Sequence, residues 1–138
     1  MKKEIELQLI KRLLKENKLP FEDLVSSKVE FITLFSDIIL KGCIGIETFG
    51  KNALLRSFVV ADDFKNQGLG NTLLNSLVLK SKNEGIEKLH LLTTTADAYF
   101  TKKGFIVSDR KTAPKSIINS KEFSEICPAS SVYMVKLI

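Results

Sequence analysis

The residues best suited to chemistry lie between Val60 and Asn71. There Lys65-Asn66-Gln67-Gly68-Leu69-Gly70 ends a polar loop and opens an apolar-periodic helix. Glycines at a helix start let an anion approach the main chain and free the dihedrals that turn successive N–H groups outward. The unpaired amides of the first turn, with the positive end of the helix dipole, then make a phosphate site, and Lys65 adds a cation. An ordinary strand-to-helix turn has the same spacing, so the loop alone leaves both readings open. A P-loop is excluded, because Asn71-Thr72 follows Gly70 where Lys-Ser/Thr would stand. A dinucleotide fingerprint is excluded as well: its third glycine would fall at Leu73, which belongs to the helix's buried face.

Other reactive side chains are sparse. Cys127, before Pro128, invites a nucleophile reading, but the one histidine, His90, has no partner at a known spacing and alternates with Leu89 and Leu91. His90 therefore reads as packed or surface histidine. Cys43 and Cys127 are far apart, with no Cys or His at metal-ligand spacing, so no metal site is expected and both thiols are expected free. Arg56 interrupts the apolar run Ala53 to Val60, where an unpaired guanidinium would be costly.

Elements must position these residues. Ile5, Leu9, Leu13, Ile10 and Leu14 recur at helical spacing over 4–17, and Pro20 ends that helix. Residues 29–35 and 38–47 read as a hairpin turned at Ser36-Asp37, followed by a strand over 53–60. After the loop, Leu69, Leu73, Leu77, Leu74 and Val78 line a long helix that Gly85 caps. A strand over 87–93, a short helix over 95–103 opened by a Thr94–Asp97 capping box, a strand at 105–107, a helix over 114–125 and a strand over 132–137 complete the order. The pattern is an α/β (α+β) domain around one mixed sheet.

The chain has 138 residues, a formal charge of +5, 44% hydrophobic and 27% charged residues, which suits one globular domain over 1–138. Disorder, coiled coil and collagen-like repeats are poor descriptions. No apolar run is long enough to span a bilayer and no signal peptide is evident, so a cytoplasmic protein without membrane partners is expected. The positive charge suits an anionic partner, but the lysines form no aromatic-interleaved stripe, which argues against nucleic acid.

The loop resembles the core motif of the GNAT superfamily of acetyl-CoA-dependent N-acetyltransferases, Arg/Gln-x-x-Gly-x-Gly/Ala after a strand, here following Phe58-Val59-Val60. Some 35 residues on, Ala96 to Gly104-Phe105 resembles the family's second element, a helix ending in Gly-Phe. Leu19-Pro20 with Asp23-Leu24, Leu54 to Ser57, Leu91 to Ala96 and Glu122-Phe123 through Cys127-Pro128-Ala129-Ser130 are similar to the subgroup associated with arsenic resistance, itself similar to amino-acid acetyltransferases. The resemblance implies a mostly antiparallel mixed sheet flanked by helices, with the first family strand short or absent and its edge open or covered by a partner such as a homodimer mate.

The resemblance also implies roles. Main-chain groups of Phe58, Val59 and Val60 hold the pantetheine arm of acetyl-CoA, and amides of Gln67, Gly68, Leu69, Gly70 and Asn71 hold its pyrophosphate. Asn66 stands where glycine is frequent, and Lys65 keeps a donor where Arg or Gln is usual. Thr93 takes the place of a coenzyme-contacting asparagine. Phe100 stands where many relatives carry a tyrosine that protonates the departing thiolate, and Tyr99 points about 100° away around the helix. Direct attack by a small, neutral amine needs a base, for which Glu47 is the candidate, and a donor to the carbonyl oxygen, for which the Val60 amide is the candidate. Glu47 also reads as a solvated strand-end carboxylate. Arg56 either holds the carboxylate of an amino-acid-like acceptor or pairs with Glu47. A non-catalytic acyl-CoA-binding or regulatory module is the alternative.

Overall fold

The computed structural model describes residues 2–126 and 130–138. The thiol of Cys127 lies outside these residues, as do Pro128 and Ala129.

Helical spacing buries Ile10, Leu13 and Leu14 on one side of α1 (Lys2–Glu16), while Ile5 stays exposed. The helix stops before Pro20. Lys18 turns left-handed at φ 58°, and Leu19 N–H reaches back to Leu14 O at 2.9 Å. The long helix α2 (Leu69–Asn83) and short α3 (Asp97–Lys102) end in the same way at Gly85 and Gly104, both at positive φ. The capping expected of Thr94 falls instead to Thr93, whose Oγ1 accepts the Ala96 N–H at 3.0 Å.

Strands β1 (Glu30–Ser36) and β2 (Ile39–Phe49) form the expected hairpin, with the turn one residue later. Asp37 takes the left-handed position there, which Asp tolerates. β3 (Asn52–Val60), β4 (Lys88–Thr93), β5 (Ile106–Ser108) and β6 (Val132–Leu137) complete a six-stranded sheet in the order β1-β2-β3-β4-β6-β5. Every pairing is antiparallel except β3 with β4. The helix expected over 114–125 is broken into α4 (Lys115–Ile118) and a wide π-type turn over Glu122–Ile126. Ser120 causes the break: its Oγ donates to Ile117 O at 2.7 Å and accepts the Phe123 N–H at 3.3 Å, displacing helical bonds.

Period-two alternation on β3 divides the core. Ala53 and Leu55 face Leu73, Leu74 and Leu77 of α2. Leu54 faces Ala113, Ile117 and Phe123 on the opposite side. Farther along that second face, Val59 packs with α1 and Leu24. Arg56 shares Leu54's parity and is buried. Among the described residues no helix is long and apolar enough to cross a membrane.

His90 is buried in β4. Its ring nitrogens lie 2.7 Å from Tyr133 Oη and 2.8 Å from Asn52 Oδ1, so it is a packed histidine. Burial, helped by Lys88, pushes its pKa down to about 4 from 6.5. The unfolded chain therefore binds the extra proton between these values, and stability falls as pH drops from about 6.5 toward 4. His90 is expected to contribute about 3 kcal/mol of that loss. Denaturant unfolding of the wild type and His90→Gln across this range checks it: the variant's curve should be shallower by about one proton. Parallel curves would reject the assignment.

Candidate active site

The two parallel strands pair only at Asn52↔Lys88, Ala53↔Leu89 and Leu54↔His90. Beyond Leu54 they diverge, while β4 stays paired with β6 as far as Thr93↔Val132. A bulge turns β3 away. Ser57 and Phe58 together oppose the single residue Ile44, and Ser57 is left-handed at φ 54°. The divergence opens a cleft of about 850 Å³ with Phe58, Val59 and Val60 on one wall and Leu91, Leu92 and Thr93 on the other.

Unpaired strand edge makes this wall reactive. Ala61 N–H donates to Lys41 O at 2.8 Å, on the β2 side. Successive amides alternate, so the Val60 N–H faces the opposite edge, toward the cleft. At the cleft's mouth, Asn66 and Gly68 are both left-handed, at φ 64° and 77°, just before α2 begins. That alternation turns neighbouring amides to one side, and the first-turn amides of α2 have no acceptor within the helix. A Cβ on Gly68 would meet nothing within 4 Å, so the space before these amides is open.

The structure brings most of the sequence-predicted residues together. Arg56, Phe58, Val59, Val60, Asn66, Gly68, Gly70, Asn71, Thr93 and Phe100 all line the cleft. Lys65, Gln67 and Leu69 stand outside the lining, and Lys65 pairs with Asp62 at 2.9 Å. Tyr99 and Phe100 both reach the cleft, Phe100 from the core and Tyr99 over the start of α2. The Phe58 ring lies 6.2 Å from Tyr99 and 6.0 Å from Phe100, and Tyr99 Oη donates to Asn71 Oδ1 at 2.8 Å.

Arg56 is paired, and Glu47 is one of its partners. Its two η nitrogens hold Asp23 Oδ2 and Oδ1 at 2.7 and 2.6 Å, Nη1 also holds Glu47 Oε1 at 2.7 Å, and Nε lies 3.6 Å from Glu122 Oε1. The pairing alternative for Arg56 is thus the one its surroundings carry, and Glu47 stands outside the cleft lining. Desolvation disfavours the charged Arg56, but Asp23, Glu122 and Glu47 outweigh it and keep the group cationic. Burial also raises the Asp23 carboxyl, yet hydrogen bonds from Arg56 and Ser27 bring it below the usual range. For Glu47 burial prevails over Arg56, and its pKa is raised. The buried Cys43 thiol, pushed up to about 12 by burial, donates to Ser57 O at 3.4 Å and is unsuited to nucleophilic work.

Sequence reasoning gave no site role to several residues of the lining, among them Glu122, Ser131 and Lys18–Pro20, although Leu19-Pro20 and Glu122 belong to the segments that carry the subgroup resemblance. Glu122 was read as one residue of a continuous helix. The signal that marks it is Asn119-Ser120 in mid-helix, two residues that favour a break.

A mixed sheet split between its parallel strands, with a bare helix N-terminus at the opening, defines an α/β domain built to take an anionic ligand at the cleft. Residues 28–107 match the model of the acetyltransferase (GNAT) domain, and the chain belongs to that family. It is 26% identical over 110 residues to the amino-acid acetyltransferase of Buchnera aphidicola subsp. Schizaphis graminum, a match covering 78% of this chain and 24% of that protein. The chain therefore spans about a quarter of that curated relative's length. The N-acetylglutamate synthase from Neisseria gonorrhoeae, complexed with coenzyme A and N-acetyl-glutamate, superposes with a TM-score of 0.77 at 22% identity, over 96% of this chain and 32% of that one. A GNAT-family acetyltransferase from Staphylococcus aureus Mu50 superposes at 0.71 and 17% identity, over 98% and 92%.

Proposed function

We propose that this domain is an acetyl-CoA-dependent N-acetyltransferase for a small primary amine, acting by direct attack without a covalent enzyme intermediate. The observation that carries it is the divergence of β3 and β4 past Leu54, which opens a cleft directly onto the first-turn amides of α2. Acetyl-CoA, when bound, supplies a thioester-activated acetyl group. The residues present fit it: Gly68 leaves the amides uncovered, and Gly70 lies near the Phe58 and Tyr99 rings, where a Cβ would stand 3.6 and 3.7 Å from them. Amides from Gln67 to Asn71 hold the pyrophosphate, with Lys65 nearby, and Asn66 shapes the loop. Phe58 and Val59 flank the pantetheine arm, Thr93 and Phe100 close the opposite side, and the Val60 N–H donates to the carbonyl oxygen as charge develops on it. Glu47 acts through Arg56, fixing its orientation.

Amino acids are the acceptors in the names of the relatives, and the arsenic-resistance likeness is a finer form of the same reading. Amino acids, simple amines and arsenic-bearing amines therefore make up the test panel. Thiol release from acetyl-CoA is expected with at least one member, and calorimetry should show coenzyme A binding. Coenzyme A at a hundredfold excess over its Kd should add about 2.7 kcal/mol of stability and raise Tm by several degrees. Absence of both binding and thermal protection would sink the proposal. Phe100, at the position where the family resemblance implies a tyrosine acid, favours a second reading as a binding-only regulatory module, and binding without turnover over the whole panel would establish that one.

A further inference from the structure

Two buried polar atoms that belong to the cleft lining have no partner among the described residues, Glu122 Oε2 and Ser131 Oγ. Their residues are 5% and 6% exposed. Buried polar atoms in folded proteins are as a rule hydrogen-bonded, so two unmet ones on residues that line one cavity mark a place for a ligand's polar groups. Both come from elements on the Arg56 side of the sheet, apart from the phosphate loop. Glu122 leads the turn behind α4, and Ser131 immediately precedes β6.

The charges around this pair decide which ligand suits it. Arg56 has committed its guanidinium to Asp23, Glu47 and Glu122 Oε1. One cation against Asp23 and Glu47 leaves the cluster negative before Glu122 is counted. The other cation in the lining, Lys18, is exposed at the rim. An ammonium entering here finds acceptors and complementary charge. A carboxylate carried on the same carbon finds only the Ser131 hydroxyl as a donor, in a potential that repels it.

We propose that the acceptor amine docks between Glu122 Oε2 and Ser131 Oγ, that Glu122 takes its proton, and that the acceptor bears no carboxylate on its amine-bearing carbon. This rests on the acetyltransferase reading and narrows it. In the transfer, an N–H bond of R–NH3+ breaks and an O–H bond forms at Glu122 Oε2. The freed nitrogen pair bonds the acetyl carbonyl carbon, the C–S bond breaks with its electron pair on sulfur, and a second nitrogen proton ends on that sulfur. Burial raises the Glu122 carboxyl to about 8, against the pull of Arg56 and with repulsion from Glu47 and Asp23. A base of that affinity is matched to work near neutral pH.

Phenethylamine and phenylalanine are the probes. The amine is expected to be favoured at least 100-fold in kcat/KM, and equal or reversed preference would overturn the proposal. Glu122→Gln should lower kcat/KM for the amine about 100-fold or more while leaving the Kd for coenzyme A unchanged. It should also remove a limb near pH 8 from the wild-type profile. An unaltered rate and limb in the folded variant count against it. Should Glu122→Gln fail to fold, Ser131→Ala decides. Calorimetric binding of phenethylamine to the coenzyme A complex should weaken about 5-fold, and unchanged affinity contradicts the site. A protein that binds coenzyme A but acetylates phenylalanine as well as phenethylamine overturns this inference alone, whereas one that neither binds coenzyme A nor releases thiol overturns the acetyltransferase reading with it.

Discussion

Arg56→Ala is expected to destabilise the domain by about 3–5 kcal/mol, a large fraction of the stability of any domain this size. The guanidinium is fully buried and holds Asp23 through two bonds, Glu47 through one, and Glu122 at 3.6 Å. Its removal leaves three buried carboxylates facing one another in a space from which water is largely excluded. Arg56→Lys should recover only part of the loss, because an ammonium cannot hold Asp23 bidentately while reaching Glu47. The pH dependence identifies the cause. In Arg56→Ala the orphaned carboxyls have folded-state pKa values above their unfolded ones, so the folded variant binds more protons and is least stable at high pH. Its deficit against the wild type should therefore shrink as pH falls toward 5. Chemical denaturation at several pH values measures this, and a deficit below about 1 kcal/mol at every pH means the cluster is solvated.

The same cluster marks where sequence reasoning stopped. Arg56 was legible as an anomaly, because a charge in an apolar strand demands a partner. The hairpin placed Glu47 in reach through local pairing, Gly45↔Arg56 and Glu47↔Leu54. Asp23 and Glu122, which carry part of the subgroup resemblance, were not legible as partners of Arg56, since each meets it only through tertiary packing, from the loop after α1 and the turn after α4. The loop before α2 is the opposite case. Its geometry is local, with left-handed Asn66 and Gly68 leading straight into α2, so residue types and spacing placed the strand-to-helix turn and the start of the helix. The broken helix after Pro114 lies between the two. Its apolar spacing reads as continuous, while the competing Ser120 bonds that end it are short-range but weak in propensity terms. That break sets Glu122 at the head of its own turn, facing Arg56 and the cleft. The unread part of the fold and the unread part of the site therefore have one origin.

Gly68→Glu should abolish coenzyme A binding while leaving the fold in place. Gly68 is the N-cap of α2 at φ 77°, and a Cβ there would meet nothing within 4 Å. A side chain can thus be accommodated, with left-handed strain of about 1–2 kcal/mol. A glutamate at this position puts its carboxylate in front of the first-turn amides, where it satisfies them internally and repels incoming phosphates. Competition and repulsion together should weaken binding by about 100-fold or more, roughly 3 kcal/mol. Gly68→Ala separates charge from strain. It carries the same backbone penalty without the carboxylate, so it should lose a similar amount of Tm and much less affinity. Calorimetric titration of coenzyme A into all three proteins is the measurement, with thermal unfolding alongside. Equal affinity in wild type and Gly68→Glu would take the phosphates away from this helix terminus. In the proposed reading the main-chain amides are the principal anion donors, while Lys65 is exposed and pairs with Asp62. Lys65→Ala should accordingly weaken binding far less than Gly68→Glu, and the reverse order would move the phosphate contact from the main chain to the side chain.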